Sequence, residues 1–104
     1  MNELRNSPRF MRPEDLTVLR QLTDDIYQDF TSRLNSRFTN LTDVDIQLCI
    51  LIKLGFSISQ IAILTAISPT SVSQQKSKTK KRIQQQEPDC FAEGETLDLW
   101  LRKF

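Results

Sequence analysis

Apolar side chains in this chain recur at spacings of three and four residues, and no stretch alternates regularly between apolar and polar side chains. That spacing places the apolar side chains on one face of a helix. Only two glycines and four prolines interrupt the 104 residues, so few positions favour the tight turns that a sheet requires. The sequence predicts an all-α fold.

Length and hydropathy restrict the number of domains and the possible contact with a membrane. A chain of 104 residues suits one domain, and 38% hydrophobic residues can form a modest core. The longest apolar run, residues 48–52, is far shorter than the roughly 20 residues that cross a bilayer. The first residues contain no apolar segment typical of a secretory signal. We therefore expect a cytoplasmic protein whose chain makes no membrane contact.

The chain has no histidine, which removes the commonest general base and the commonest metal ligand. Cys49 and Cys90 match no zinc or redox spacing. We expect Cys49 to be buried and Cys90 to be an exposed free thiol, although a disulfide between them is compatible with the sequence. With no glycine-rich phosphate loop and no serine elbow, we expect a protein that is not an enzyme and has no cofactor, metal site or catalytic residue.

Charge is strongly segregated along the chain although the net charge is only +1. Residues 1–45 carry six basic and eight acidic side chains, and residues 87–104 carry two basic and five acidic ones. Residues 46–86 carry six basic side chains and no acidic one. A localised basic block is the electrostatic signature of a phosphate-binding surface, provided that it folds onto one face.

Three segments follow from these patterns. Residues 1–40 are expected to form an N-terminal arm and one long amphipathic helix that starts at Pro13 and runs to about Phe38. The apolar stripe of this helix either covers the core or partly joins a partner helix in a dimer. Residues 87–104 are expected to form a linker and a short amphipathic helix. Its apolar face, which includes Trp100 and Phe104, either packs against the first helix or the core, or forms a dimer surface. We expect the acidic residues of this segment to keep it away from DNA.

Capping signals divide the middle segment, residues 41–86, into an apolar helix, a short helix and a longer basic helix. A short capped helix, a tight turn and a basic helix form the outline of a helix-turn-helix. The capping signals are Thr42 with Asp45, Ser57 with Gln60, and Ser68 before Pro69, and Gly55 is a natural helix end.

A helical projection of the basic helix separates its core side from its outer side. With Val72 toward the core, Thr79 and Ile83 fall on the same side. The opposite face carries polar side chains that can reach base edges and phosphates, and the lateral cations would meet the DNA backbone. The opposite face is Thr70, Gln74, Ser77 and Lys81, with Ser71 and Lys78 at one edge, and the lateral cations are Lys76, Lys80 and Arg82.

The segment from Leu41 to Ile83 resembles the LuxR-type (GerE-like) helix-turn-helix of the winged-helix-like superfamily, in the variant found at the C-terminus of Bacteroidetes transcriptional regulators. The matching stretches are Leu41-Thr42, Leu48-Cys49, Leu54-Gly55-Phe56-Ser57, Ile61-Ala62, Ile67-Ser68-Pro69, Ser71-Val72 and Lys80-Lys81-Arg82. The chain departs from that pattern at Gln60, Thr65 and Gln75, where Glu, Leu and His are common.

The resemblance implies a four-helix core with a recognition helix over about 69–85 in the major groove. It implies a sequence-specific transcriptional regulator that binds double-stranded DNA. Because a helix-turn-helix commonly reads two half-sites, we expect a homodimer through the N-terminal or the C-terminal amphipathic helix. The alternative is a protein-interaction module that contacts RNA polymerase or another regulator. Either the chain acts alone or it is the end of a larger regulator. The expected DNA-binding residues are Ser68, Thr70, Ser71, Ser73, Gln74, Lys76, Ser77, Lys78, Lys80, Lys81 and Arg82.

Overall fold

The computed structural model describes residues 12–104, and this part of the chain contains six helices and no strand. The predicted all-α fold is confirmed for these residues, while residues 1–11 of the predicted arm lie outside them. The helices are α1 (Pro13–Ile26), α2 (Phe30–Arg37), α3 (Asp43–Lys53), α4 (Ile58–Thr65), α5 (Pro69–Gln86) and α6 (Leu97–Lys103).

The prediction of one long helix from Pro13 to Phe38 is wrong, because the chain bends between α1 and α2. Gln28 and Asp29 adopt left-handed backbone conformations with φ of 50° and 57°, which a continuous helix cannot contain. The carboxylate of Asp24 accepts hydrogen bonds from the backbone nitrogen and the hydroxyl of Thr31, both at 2.7 Å. These side-chain bonds stabilise the bend in place of helical backbone bonds.

The bend also divides the apolar stripe that predicted a single helix. Leu19 of α1 and Phe30 and Leu34 of α2 are buried. By contrast, Leu22 and Ile26 remain 44% and 56% exposed on the outer side of α1. The spacing of three and four residues between apolar side chains therefore continues across two separate helices, and these helices present different faces to the core.

Helix α3 is the centre of the fold and contacts α1, α2, α5 and α6. Six of its apolar residues are buried, as expected for a helix that is apolar on nearly every side. Cys49 is fully buried and Cys90 is half-buried. Both are free thiols, so the structure contains no disulfide between them. None of the helices between residues 12 and 104 combines the length and apolar composition of a membrane span.

The capping signals predicted in the middle segment are confirmed. The side chains of Thr42, Ser57 and Ser68 each accept a hydrogen bond from the backbone nitrogen three residues later, at 3.1–3.2 Å. Gly55 ends α3 with a φ of 92°, and the nitrogen of Phe56 reaches back to the carbonyl of Leu51 at 3.1 Å. These local signals set the boundaries of α3, α4 and α5.

The C-terminal helix α6 packs into the core, which is the first of the two alternatives that the sequence allowed. Leu97, Trp100 and Leu101 are buried. The Trp100 ring lies 5.6 Å from Phe38 and 5.1 Å from Phe104, measured between ring centroids. The apolar face of α6 is therefore used within the chain.

We predict that Gly55→Ala destabilises the fold by about 1 kcal/mol, because an alanine Cβ is strained at positive φ although no neighbouring atom would clash with it. Thermal unfolding should show a decrease of roughly 4–8 °C in Tm. The control Ser59→Ala, at an exposed position of α4, should change the stability by less than about 0.5 kcal/mol. Equal melting temperatures for wild type and Gly55→Ala would contradict the predicted strain.

Candidate nucleic-acid interface

Helices α4 and α5 pack closely and are joined by only three residues, 66–68. Ala66 adopts a left-handed conformation with a φ of 61°, and the nitrogen of Ile67 bonds to the carbonyl of Ala62 at 3.1 Å. Ala62 and Val72 are buried where the two helices meet. The short turn therefore fixes α5 against α4.

Helix α5 has the rotation that its sequence pattern predicts. Val72, Thr79 and Ile83 are the buried residues of the helix. The opposite side forms an exposed polar surface, called here the outer face of α5. Its exposed residues are Thr70, Ser73, Gln74, Ser77, Lys78, Lys81 and Gln85, and of these Gln85 is not among the expected DNA-binding residues.

One edge of α5 is attached to α3 through the buried carboxylate of Asp45. This carboxylate accepts hydrogen bonds from Gln75 Nε2 at 2.8 Å and from Thr79 Oγ1 at 2.6 Å. Arg82 Nη1 donates to both carboxylate oxygens at 2.7–2.8 Å, and the Thr42 nitrogen donates to Oδ2 at 2.8 Å. One carboxylate thus both caps α3 and holds three successive turns of α5.

The same contacts determine the protonation of Asp45. Burial raises the pKa of this carboxyl, but hydrogen bonds from Thr79, Thr42 and Arg82 lower it by more, so its pKa lies below the usual value. Asp45 is therefore ionised at neutral pH and compensates the charge of Arg82.

The other edge of α5 faces the C-terminal segment. Lys76 Nζ lies 3.0 and 3.1 Å from the two carboxylate oxygens of Asp98. Lys80 Nζ donates to the carbonyl oxygen of Glu95 and lies 5.0 Å from the centroid of the Phe91 ring. The short segment after α5 thus runs back along the helix.

These contacts occupy most of the basic side chains that the sequence pattern grouped together. Lys53 Nζ donates to the carbonyl of Leu101 at 2.7 Å, so this ammonium group too is engaged within the chain. Burial, followed by the charge of Arg33, lowers the pKa of Lys53. Among residues 12–104, Lys78 and Lys81 are the two cations of the block for which the structure provides no acceptor.

The expected DNA-binding residues therefore fall into three groups. Ser68 and Ser71 are used at the start of α5, where their hydroxyls lie 3.0 Å apart and Ser68 caps the helix. Lys76, Lys80 and Arg82 are held at its edges. The outer face brings together the remaining residues, which are Thr70, Ser73, Gln74, Ser77, Lys78 and Lys81.

The groups that hold the edge cations were not predicted from the sequence as their partners. Asp98 binds Lys76, the Glu95 carbonyl accepts from Lys80, and the Asp45 carboxylate binds Arg82. Each partner lies far along the chain from its cation, so only the tertiary arrangement reveals the pairing. Gln75 and Thr79 donate to the same Asp45 carboxylate. For Asp45 a partial signal exists, because its position in a capping box already places a side-chain acceptor at the start of α3.

The sequence matches no protein-family model and no curated protein, and no solved structure matches the chain.

We predict that Asp45→Asn lowers the free energy of unfolding at pH 7 by about 2 kcal/mol, because it weakens charge-assisted bonds to a partly buried arginine. Because the pKa of Asp45 is lower in the folded chain, its stabilising effect is complete above the unfolded pKa near 3.8. That effect is lost as the pH falls through the folded pKa. Denaturant unfolding between pH 7 and pH 2 should therefore show a smaller acid-induced loss for Asp45→Asn than for wild type.

The matched control is Asp43→Asn, at an exposed position in the first turn of the same helix. Its loss at pH 7 should be about 0.5 kcal/mol, as expected for one helix-dipole contact. An Asp45→Asn variant as stable as wild type at pH 7 would show that the network does not anchor α5.

Proposed function

We propose that this chain is a sequence-specific DNA-binding transcriptional regulator in which α4 and α5 act as a helix-turn-helix and α5 is the recognition helix. The observation that carries the proposal is the outer face of α5, where Lys78 and Lys81 have no acceptor within residues 12–104. No acidic residue occurs anywhere in α5. A helix with such a face suits the major groove of DNA in width and in charge.

The side chains of the outer face divide into those suited to bases and those suited to phosphates. Gln74 lies at the middle of the face, and a glutamine amide can make paired hydrogen bonds to adenine. Lys78 and Lys81 can neutralise backbone phosphates, while Thr70 and Ser77 can donate hydroxyl hydrogens to either group. Ser68 lies at the start of α5, where backbone N–H groups can donate to a DNA phosphate.

The proposal includes a homodimer, because one short recognition helix reads few base pairs and helix-turn-helix proteins commonly bind two half-sites. The apolar face of α6 is buried within the chain, which leaves α1 as the candidate dimer surface. Val18, Leu22 and Ile26 form an exposed row on α1, with exposed fractions of 61%, 44% and 56%. Apolar side chains that recur every four residues lie on one face of a helix, so this row can pack against a helix of a second chain.

The resemblance of residues 41–83 to LuxR-type regulators of Bacteroidetes supports the same proposal and suggests a cytoplasmic protein. The three departures from that pattern have local roles. Gln60 completes the capping box of Ser57, since its Oε1 accepts from the Ser57 nitrogen at 2.8 Å. The Thr65 hydroxyl donates to the Ile61 carbonyl at 2.6 Å, and Gln75 binds Asp45. All three leave the outer face unchanged.

We predict that the chain binds short duplex DNA with an affinity that falls by orders of magnitude between 50 and 200 mM salt. Lys78→Ala and Lys81→Ala should weaken binding to all sequences and reduce the salt slope by about one each, whereas Gln74→Ala should change the preferred sequence. Selection from a random duplex pool followed by fluorescence anisotropy measures both effects.

The control for this experiment is Arg102→Ala, which removes one exposed charge from α6 instead of α5. It should change the affinity by less than twofold. A folded wild-type chain that binds no duplex at low salt would contradict the proposed function, and equal behaviour of all three α5 variants would contradict the assignment of Gln74 to bases.

We predict that Leu22→Glu disrupts the dimer, because a charge in the apolar row would be buried at the interface without a partner. Light scattering should give a monomer mass for Leu22→Glu and a dimer mass for wild type at the same concentration. The control Gln21→Glu introduces the same charge at the neighbouring exposed position and should remain dimeric. A wild-type chain that is monomeric at high micromolar concentration would exclude α1 as a stable dimer surface.

The second candidate function is a protein-interaction module that contacts RNA polymerase or another regulator. An apolar hollow of about 220 Å³ between α3, α4 and α5 favours this alternative. Val44 and Ile67 stand at its rim with 56% and 43% of their surfaces exposed. Saturable binding to purified RNA polymerase by a chain without DNA affinity would favour this function over the first.

A further inference from the structure

An open cleft of about 330 Å³ runs between α5 and the start of α6. One wall is the edge of α5 and the other is the chain around the first turn of α6. The cleft adjoins the outer face of α5, because Ser73 and Ser77 belong to both surfaces. Its lining residues are Ser73, Lys76, Ser77, Lys80, Thr96, Leu97 and Asp98.

The two ammonium groups of the cleft are compensated to different degrees. Lys76 donates to the Asp98 carboxylate, and the two side chains are 18% and 40% exposed. Lys80 donates only to a neutral carbonyl, that of Glu95. The Glu95 carboxylate itself is used elsewhere, because it binds Lys103 Nζ and the Ala92 nitrogen. Asp98 is therefore the one acidic side chain that lines the cleft, and of the two ammonium groups it binds that of Lys76.

This arrangement suits one further anion. The cleft has an excess of positive charge, and two serine hydroxyls can donate to oxygens at its entrance. A phosphate oxygen forms short charge-assisted bonds with ammonium groups. Partly exposed ion pairs such as Lys76–Asp98 contribute little to stability, so a phosphate can replace Asp98 at Lys76.

We infer that the cleft receives one backbone phosphate of the bound duplex, and that Asp98 competes with this phosphate for Lys76 and thereby limits the affinity for DNA. The inference rests on the proposed function. A helix in the major groove has a phosphate backbone along each side, and the cleft lies along one side of α5. The start of α6, where Asp98 lies, is then part of the DNA interface.

The test compares the affinities of wild type, Asp98→Asn and Asp89→Asn for the same duplex by fluorescence anisotropy at fixed salt. Asp98→Asn should bind about five-fold more tightly, because Lys76 no longer has to leave a carboxylate. Asp89→Asn is the matched control. It removes the same charge from an exposed position of the linker, where residues 12–104 provide no partner for it, and it should change the affinity by less than about two-fold.

A second pair of variants identifies Lys76 as the residue through which Asp98 acts. Lys76→Gln should weaken binding and reduce the salt slope by about one. When Asp98→Asn is added to Lys76→Gln, the gain in DNA affinity should fall to that of Asp89→Asn, since Asp98 and the phosphate no longer compete for Lys76. Thermal unfolding of every variant verifies that each remains folded at the temperature of the titration.

Each outcome decides between the proposals. A gain specific to Asp98→Asn that disappears with Lys76→Gln supports the phosphate site. An equal gain for Asp98→Asn and Asp89→Asn, or a loss for Asp98→Asn, overturns this inference and leaves DNA binding in place. If neither wild type nor Asp98→Asn binds any duplex at low salt, both this inference and the proposed function are overturned.

Discussion

The carboxylate of Asp45 lies where the start of α3 meets the middle of α5, and three turns of α5 bind to it through Gln75, Thr79 and Arg82. A buried carboxylate is stable only when its oxygens are fully hydrogen-bonded, and here the nitrogen and hydroxyl of Thr42 and the side chains of α5 donate those bonds. A change in the rotation of α5 would break several of them together. The direction of the outer face therefore depends on a residue that lies beneath it.

The arrangement of charge has a related consequence. The basic block of the sequence has six members, yet the fold directs four of them inward or sideways, to Asp45, Asp98 and backbone carbonyls. These four cations thus attach α5 and α6 to the rest of the chain. What remains for a polyanion is the outer face with Lys78 and Lys81, together with the cleft beside it.

The C-terminal segment links these two roles. Its aromatic residues complete the core around Phe38, while Asp98 and the Glu95 carbonyl hold the edge of α5. The segment is therefore both a structural support and a wall of the proposed interface. Under the proposed function, the affinity for DNA would be tuned by a helix that does not itself enter a groove.

Local signals were sufficient to predict much of the fold. Helix ends at Thr42, Gly55, Ser57 and Ser68 were predictable because capping and positive φ are properties of a few neighbouring residues. The buried side of α5 followed from the spacing of its apolar residues. The bend at residues 27–29 was not predictable in the same way, because the apolar spacing continues across it and the two bonds that Thr31 donates to Asp24 depend on the bend itself.

The sequence by itself determined the all-α class, the boundaries of the middle helices and most residues of the outer face of α5. Only the tertiary structure decided which cations of the basic block stay available, because pairs such as Lys76–Asp98 and Arg82–Asp45 join residues 22 and 37 positions apart. Helical periodicity describes each helix separately. The electrostatic field of the surface, by contrast, depends on which charges the packing of the helices brings together.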